Sequence, residues 1–469
     1  MSKEPNEEIA LWSTTRQAAA IRSGEITSRG LLEVFIARIE RINPQLNAVV
    51  TMDLVTARAA ADAADDALAR GEDLGPLHGV PITLKDALAT AGLRSTGGAI
   101  ELHNNVPTRD APVVRAVKQA GAIVFGKTNL PRWSGDIQAF NEMFGTTVNP
   151  WNAQRVPGGS SGGAAAAVAA GLTSFEIGTD IGGSIRFPAS FCGVFGHKPS
   201  WGVVPSTGYL DHEAGGTTTA DVNVFGPIAR SAEDLELLLG ILLRKDEPLV
   251  ANLAPPPVDV SKLRVAAWLD DHFCRVDSEV LEVMNSAVAA LVASGISVDA
   301  TARPDIDPKH ASGLGMWLIS AAMVQSMPAE ELEGVESSAD STATHRQWLD
   351  ADAARTAIRE KWADFFQNYD AILMPIGFVP PFEHDQEGSF GTRTLLCNGE
   401  ERPYADLVRW TILTGMAYLP ASVPPLGLGR SGLPIGLQVV GPYGGDFSTI
   451  RLAGRIAEVC GGYQPPPVA

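Results

Sequence analysis

The 469-residue chain carries a net charge of −18, which disfavours roles in nucleic-acid binding or at anionic membrane surfaces because phosphate groups repel it. Its 45% hydrophobic and 19% charged residues are ordinary for a soluble enzyme that buries a large core. Residues 1–10 are too polar for a signal peptide, and no apolar run approaches the roughly 20 residues needed to cross a bilayer, so we expect a cytoplasmic location. The cysteines form no CxxC pair, which predicts reduced thiols rather than disulfides; they are Cys192, Cys274, Cys397 and Cys460.

The first eighty residues are predicted to be helical. Leu31, Phe35 and Ile39 recur at helical spacing after a candidate cap, Thr27, and an alanine-rich helix is expected from about 55 to 70. Farther along, short buried strands alternate with helices, a pattern that predicts an α/β fold with a mostly parallel or mixed sheet. The predicted strands cover residues 80–85, 122–125, 263–268, 371–374 and 436–440, and the predicted helices cover 113–120, 164–170 and 278–292.

Two segments are predicted to lie outside regular structure. Residues from about 246 to 260 are proline-rich and are expected to form a surface connection, while 334–344 are small and polar and are expected to form a loop. Length alone would suggest two or three domains, and the proline-rich stretch could separate two of them. Strand patterns on both sides could equally belong to one sheet, which is the interpretation we favour.

A glycine-rich run, Gly-Gly-Ser-Ser-Gly-Gly at 158–163, leads directly into the small-residue helix at 164–170. Runs of this composition are commonly flexible linkers, and the residues alone leave that alternative open. A short glycine-rich loop before a helix nevertheless exposes backbone N–H groups, which hold an anion or a developing negative charge. The run is therefore a candidate part of a functional site.

The stretch Thr-Asp-Ile-Gly-Gly-Ser at 179–184 has a similar composition. Two glycines before Ser184 let the backbone approach a ligand closely. An oxyanion hole needs converging N–H donors, each contributing about 3 kcal/mol to acyl transfer. The candidate donors are the amides of Ile181, Gly182, Gly183 and Ser184. The competing interpretation is a tight turn with a structural serine.

A serine nucleophile needs a base, and the eight histidines offer no recognisable pattern. His78 and His197 are both expected to be structural, and Ser184 lacks a Gly-x-Ser-x-Gly elbow. Lys85 is the alternative base because it ends an apolar strand, and burial without a fixed anion lowers the pKa of a lysine until it can accept a proton. An ordinary ion pair between Lys85 and Asp86 remains equally open at this stage.

The blocks around these residues resemble the amidase signature family. Ser160 and Ser184 are 24 residues apart, which matches the family's spacing. The segment 79–86, Gly-Val-Pro-Ile-Thr-Leu-Lys-Asp, is similar to the family's lysine motif. The resemblance runs from about residue 10 to 460, and its blocks are 79–86, 126–130, 144–151, 158–163, 178–188, 192–199 and 432–438.

This resemblance implies roles for individual residues. Ser184 matches the nucleophile, Ser160 matches a bridging serine that follows a cis peptide bond, and Lys85 matches the general base. The positions with implied supporting roles are Asp180, Arg186 and Ser161. The resemblance also implies a single α/β domain over 1–469, with its core motifs at 79–200 and a large mixed, mostly parallel, twisted sheet covered by helices on both faces. It overrides the estimate from length. The sequence has no HExxH motif, no clustered Cys and His and no P-loop, so neither a metal nor a cofactor is expected.

The activity expected from the resemblance is hydrolysis of carbon–nitrogen bonds in a small-molecule amide, with neutral aryl or alkyl amides favoured and carbamates and esters included. One alternative is the glutaminase subunit of a tRNA-dependent amidotransferase, although residues 200–209 lack the basic stretch usual there. An inactive scaffold protein is a second alternative, which intact Lys85, Ser160 and Ser184 disfavour. Neither a nucleic-acid nor a membrane partner is expected, and a homodimer is a family-level expectation. The loops expected to line the pocket are 133–144, 202–219, 316–327 and 377–394.

Overall fold

The computed structural model describes residues 7–213, 215–244, 259–324 and 343–468. The predicted proline-rich connection and the predicted loop at 334–344 therefore lie almost entirely outside the described residues. Within these ranges, no helix combines the length and the apolar character that crossing a membrane requires.

Helices occur along the whole described chain. They are α1 (Thr14–Arg22), α2 (Ser28–Leu46), α3 (Leu54–Ala69), α4 (Pro112–Gln119), α5 (Gly162–Ala169), α6 (Arg186–Cys192), α7 (Ala232–Leu242), α8 (Ser278–Ala293), α9 (Pro308–Met323), α10 (His345–Phe365), α11 (Arg409–Gly415) and α12 (Asp446–Cys460). Shorter 3₁₀ segments cover Glu7–Leu11, Ile100–Leu102, Arg132–Ser134, Val260–Lys262 and Tyr404–Val408.

The strands are short. They are β1 (Val49–Met52), β2 (Pro81–Lys85), β3 (Ile123–Thr128), β4 (Phe140–Asn141), β5 (Gly145–Thr146), β6 (Glu176–Asp180), β7 (Phe195–Lys198), β8 (Val224–Ala229), β9 (Val265–Ala267), β10 (Val298–Asp299), β11 (Ala371–Met374), β12 (Thr394–Cys397), β13 (Glu400–Pro403), β14 (Ala421–Val423), β15 (Pro425–Leu428), β16 (Pro434–Gly436) and β17 (Gln438–Val440).

Local chemistry explains how several elements begin. The Thr27 side chain accepts a hydrogen bond from the Gly30 amide at 2.9 Å, so α2 starts at the predicted cap. Helix α5 starts at Gly162, two residues earlier than predicted, and its first glycines lie close to other segments. A Cβ on Gly163 would lie 2.5 Å from the backbone of Asn129. The predicted strand at 436–440 divides into β16 and β17, which belong to different sheets.

The predicted α/β fold with a large mixed sheet is confirmed, in the strand order β10-β9-β11-β17-β14-β7-β8-β6. The expectation that the sheet is mostly parallel is wrong at the level of neighbouring pairs: of those described, β10–β9 and β9–β11 are parallel and the others antiparallel. The physical reason lies in the connection β6–α6–β7. It makes β6 and β7 run in the same direction, but β8 lies between them and is antiparallel to both.

A smaller sheet brings a second group of residues to the edge of the large one. Its order is β1-β3-β2, with β2 parallel to β3 and ending at Lys85. The Thr83 hydroxyl donates to Glu176 on β6 at 2.6 Å, and Lys85 Nζ lies 2.7 Å from the hydroxyl of Thr179 on the same strand. The last residues of β2 therefore contact the edge strand of the large sheet. A hydrophobic cluster extending from Ile9 to Ala457 packs both sheets against the helices.

Candidate active site

Lys85 is fully buried at the end of β2. Its Nζ lies 2.7 Å from Ser160 Oγ and 2.7 Å from Thr179 Oγ1. The alternative ion pair with Asp86 is not formed: the Asp86 carboxylate instead accepts hydrogen bonds from the Thr96 amide, at 3.0 Å, and from the Thr96 hydroxyl. Within the described part of the chain, Lys85 makes no ion pair with any carboxylate. Its contacts are therefore two hydroxyl groups.

Burial lowers the pKa of Lys85 to about 7, although the carboxylates of Asp180 and Glu176 act in the opposite direction. Glu176 is itself buried, and burial raises its pKa to about 7 against the hydrogen bonds from Thr83 and Thr128. Lys85 is consequently neutral in a large fraction of molecules near neutral pH. A neutral amine can accept a proton, so the site contains a base of suitable strength.

Ser160 follows a cis peptide bond, as the motif resemblance implied, and it lies in the loop before α5. That loop packs tightly against another one, since a Cβ on Gly159 would lie 2.5 Å from the carbonyl carbon of Ile137. The neighbouring Ser161 joins the loop to the rest of the site. Its amide donates to the Ser184 carbonyl at 3.2 Å, and its hydroxyl contacts the backbone of Thr179.

Ser184 lies in the turn between β6 and α6 and is 5% exposed, whereas Ser160 and Lys85 are completely buried. The Gly183 amide donates to Asp180 Oδ1 at 2.8 Å, so this predicted oxyanion donor already has an acceptor. The amides of Ile181, Gly182 and Ser184 donate to no acceptor within the described ranges. Three of the four predicted donors are thus available to a ligand beside Ser184.

Asp180 and Arg186 form a buried bidentate ion pair that shapes this turn. Arg186 Nη2 donates to Asp180 Oδ1 at 2.8 Å and Nε donates to Oδ2 at 3.0 Å. Although burial opposes ionisation, the Arg186 charge keeps the pKa of Asp180 below its ordinary value. Arg186 Nη1 donates to Thr411 O, Thr414 Oγ1 and Gln438 Oε1 at 2.9–3.0 Å. The ion pair therefore connects the turn between β6 and α6 to residues much later in the chain, and the supporting roles implied for Asp180 and Arg186 stay a prediction.

The histidines predicted to be structural have structural contacts. His197 Nδ1 lies 2.9 Å from Ser422 Oγ and its Nε2 lies 3.1 Å from Asp446 Oδ1. His78 Nδ1 accepts from the Leu74 amide, and its Nε2 lies 2.9 Å from the Ala64 carbonyl. Neither ring contacts Ser184 or Lys85, so the base is not one of these histidines.

Sequence reasoning missed Thr179, which contacts Lys85 directly. Its place inside the Thr-Asp-Ile-Gly-Gly-Ser motif was the available signal, but only its neighbours were assigned roles. Tyr209, expected in a pocket loop, packs against Phe225 on β8 with ring centroids 5.7 Å apart, and burial raises the pKa of Tyr209 to about 12. Parts of two predicted pocket loops, 133–144 and 202–219, meet at Gly97, where a Cβ would lie 2.7 Å from Leu210 O and 3.2 Å from the Trp133 ring.

A third predicted pocket loop, 377–394, contacts the first one. Arg393 forms a buried ion pair with Asp136, and the amide of Asp385 donates to Gln138 Oε1 at 3.1 Å. The Tyr404 hydroxyl also donates to Asp136, at 2.7 Å. The fourth loop, 316–327, lies partly outside the described residues.

The chain is similar to known proteins over most of its length. A model of the protein family described as Amidase matches residues 30–450. An indoleacetamide hydrolase of Bradyrhizobium diazoefficiens is 32% identical over 95% of this chain and 86% of its own. A glutamyl-tRNA(Gln) amidotransferase subunit of Dehalococcoides mccartyi is 30% identical over 92% and 94% of the two chains. Among solved structures, a bacterial aryl acylamidase of the amidase signature family superposes with a TM-score of 0.82 at 26% identity, covering 96% of this chain and 97% of its own.

Proposed function

Because this chain belongs to the amidase signature family and is a hydrolase of carbon–nitrogen bonds, we propose that it cleaves neutral aryl or alkyl amides through an acyl-enzyme on Ser184. Ser160 and Lys85 form the proton relay. One observation carries the proposal: the buried amine of Lys85, with a pKa of about 7, contacts the Ser160 hydroxyl. The amide of the neighbouring Ser161 donates a hydrogen bond to the carbonyl of Ser184.

The reaction follows from the protonation state of Lys85. The neutral amine takes a proton from Ser160 as Ser160 takes one from Ser184, and Ser184 Oγ attacks the substrate carbonyl. The free amides of Ile181, Gly182 and Ser184 stabilise the negative charge that develops on the carbonyl oxygen.

Collapse of the tetrahedral intermediate needs a proton on the leaving nitrogen, because an amine anion is a poor leaving group. The relay returns that proton through Ser160. Water then attacks the acyl-enzyme while the relay takes its proton, and the relay returns a proton to Ser184 Oγ as the acyl C–O bond breaks and the acid is released. Each step uses only groups of this chain, the substrate and a water molecule.

The preference for neutral substrates rests on the groups near Ser184 and on the relatives. The buried cations near the site are already engaged: Arg186 pairs with Asp180, and Arg393 pairs with Asp136. Relatives are described as an indoleacetamide hydrolase and an aryl acylamidase, which points to uncharged amides. Carbamates and esters of similar shape fit the same chemistry and are included in the proposal.

Labelling with a fluorophosphonate tests the nucleophile. Wild-type protein should be labelled stoichiometrically, and Ser184→Ala should not be labelled. Ser190→Ala is a matched control, because Ser190 lies on α6, is also 5% exposed and has a hydroxyl that accepts a hydrogen bond from the Gly436 amide. Persistent stoichiometric labelling of the Ser184 variant would refute the assignment.

The substrate class needs a separate measurement. We would compare kcat/KM for a primary amide, an anilide, a carbamate and an ester that share one acyl group. The proposal expects the amides and the anilide to be cleaved. An enzyme that cleaves the ester but neither nitrogen compound contradicts the substrate class without contradicting Ser184.

A glutaminase subunit of a tRNA-dependent amidotransferase is the second candidate, because the chain is 30% identical to one amidotransferase subunit over most of both lengths. Residues 200–209 lack the basic stretch expected of that glutaminase. Release of ammonia from glutamine that strictly depends on an added partner protein would favour this candidate. Hydrolysis of anilides by the chain alone would favour the first.

Three further proposals concern the whole protein. We propose a single catalytic domain, supported by the hydrophobic cluster that extends from Ile9 to Ala457. A cytoplasmic location is supported by free cysteines, of which Cys192, Cys274 and Cys397 are buried. A homodimer remains a family-level proposal, which light scattering on the purified protein would test.

A further inference from the structure

A strained turn precedes β8. Val222 has φ +65° and is almost completely buried, although β-branched residues rarely adopt the left-handed region. Such strain persists where surrounding contacts impose it, and it is concentrated at functional sites. Here the contacts converge on Asp221, whose carboxylate accepts from the Tyr418 hydroxyl and from Arg355 Nη1, both at 2.6 Å.

This turn places Asn223 next to the turn between β6 and α6 that carries Ser184, called the nucleophile turn below. In the antiparallel pair β6–β8, Asp180 is opposite Val224, so continuing the register by one residue puts Asn223 opposite Ile181. Gly415 supports this placement, since a Cβ there would lie 3.7 Å from the Ile181 carbonyl oxygen and 3.8 Å from Val222 Cγ1.

Side chains along a strand alternate between the two faces of the sheet, and this alternation indicates on which face Asn223 lies. Thr179 is opposite Phe225, so their side chains share a face, and residues two apart on a strand share a face as well. Asn223 precedes Phe225 by two positions. It therefore belongs to the face on which Thr179 contacts Lys85.

Asn223 is 3% exposed, and its Oδ1 is buried without a hydrogen-bond partner in the part of the chain that the structure describes. A buried amide oxygen left without a donor is costly, and an exception of this kind calls for a functional explanation. The nearby amides of Ile181, Gly182 and Ser184 are donors without acceptors among the described residues. The site thus offers free donors on the nucleophile turn and a free acceptor beside it.

An N–H-bearing amide substrate has the complementary pair of groups. We propose that Asn223 Oδ1 accepts a hydrogen bond from the N–H of the scissile amide while the backbone donors bind its carbonyl oxygen. Asn223 is then a specificity-determining residue that selects amides with an N–H over esters and over N-alkylated amides. This inference rests on the proposed function of Ser184.

The test compares three substrates with one acyl group: an anilide, its N-methylanilide and the corresponding phenyl ester. Asn223→Leu removes the acceptor, whereas Asn223→Asp keeps an acceptor of similar shape. The carboxylate that Asn223→Asp introduces can change the pKa of Lys85 and hence the relay. Because both anilides need a proton on the leaving nitrogen, that effect cancels in the ratio of kcat/KM for the anilide and the N-methylanilide, which is the ratio compared for the Asp variant. The smaller Asn223→Ala gives the same comparison if the Leu variant does not fold.

In Asn223→Leu, the anilide-to-ester ratio should fall by about 10- to 100-fold, as expected for loss of a buried hydrogen bond. The penalty for N-methylation should shrink by a similar factor, and Asn223→Asp should keep that penalty near its value in the wild type. An unchanged anilide-to-ester ratio in the Leu and Ala variants overturns the proposal, as does an Asp variant whose penalty for N-methylation falls as it does in Leu.

Labelling separates this outcome from failure of the proposed function. If the wild type and the Asn223 variants are labelled at Ser184 by a fluorophosphonate but the ratios do not change, only the role of Asn223 is refuted. If the wild type is not labelled at Ser184, the proposed function fails, and the inference about Asn223 fails with it.

Discussion

The rate of hydrolysis should rise with pH through about 7, because only neutral Lys85 can accept a proton from Ser160. Burial lowers the pKa of Lys85 to about 7, so protonation inactivates the relay below that pH and deprotonation activates it above. An exposed lysine has a pKa of about 10.4 and would be neutral in only about 0.04% of molecules at pH 7. Burial in this site therefore makes the neutral form about a thousandfold more abundant.

The pKa of Lys85 sets the pH at which kcat/KM begins to fall, and the single proton involved sets the slope. About a tenth of Lys85 is neutral at pH 6 and about a hundredth at pH 5, so kcat/KM should fall about tenfold per pH unit at low pH and level off above pH 8. A neutral anilide is the substrate of choice, because its own ionisation then does not contribute to the profile. The measurement is kcat/KM from pH 5 to 9 at constant ionic strength.

Glu176→Gln tests whether Lys85 is the group that titrates. Glu176 also has a pKa of about 7, so Glu176→Gln removes the other group that titrates in this range. The Glu176 carboxylate raises the pKa of Lys85 only in its ionised fraction, so the rising limb should persist in Glu176→Gln and lie no higher in pH than in the wild type. Glutamine keeps an oxygen that can accept from Thr83 and Thr128. Glu279→Gln is the control, because Glu279 is also buried but bonds to Ser431 instead. A wild-type profile that is flat from pH 5 to 9, or a limb that disappears or moves to higher pH in Glu176→Gln, would refute this reasoning.

Three further variants test individual contacts. Lys85→Arg should lower kcat/KM by at least about 100-fold at every pH, since arginine does not deprotonate, and full activity would exclude Lys85 as the base. Arg186→Met leaves Asp180 as a buried unpaired charge and should lower the free energy of unfolding by about 3–5 kcal/mol in urea, so an unchanged transition would contradict the role of the pair. Gly159→Ala should lower the free energy of unfolding by about 1–3 kcal/mol and remove most fluorophosphonate labelling, because its Cβ would lie 2.5 Å from a backbone carbon. Gly240→Ala is the control, because it has open space around it and should change neither quantity.

Much of the local structure follows from short-range patterns in the sequence. The cap at Thr27 and the strand ending at Lys85 were predicted because capping and apolar runs involve neighbouring residues. The sheet order could not be predicted in this way. The β6–α6–β7 pattern suggests adjacent parallel strands, and nothing within it reveals that β8, which begins 26 residues after β7 ends, inserts between them.

The candidate site, too, could be predicted only in part from the sequence. The motif resemblance predicted Ser184, Ser160 and Lys85, but the residues alone left open whether Lys85 pairs with Asp86. Only the fold decides this, because the pKa of Lys85 depends on burial by segments distant in sequence. Asn223 was not predicted at all, since its relation to the site depends on the register of β6 and β8.

The hydrogen bonds of Arg186 join the turn that carries Ser184 to residues much later in the chain. Its Nη1 donates to Thr411 and to Gln438, which follow it by 225 and 252 residues. During synthesis, the turn that carries Ser184 emerges long before these acceptors do. A chain shortened before residue 411 would leave Arg186 Nη1 without these acceptors, so we expect the turn to form only once the later residues have folded against it.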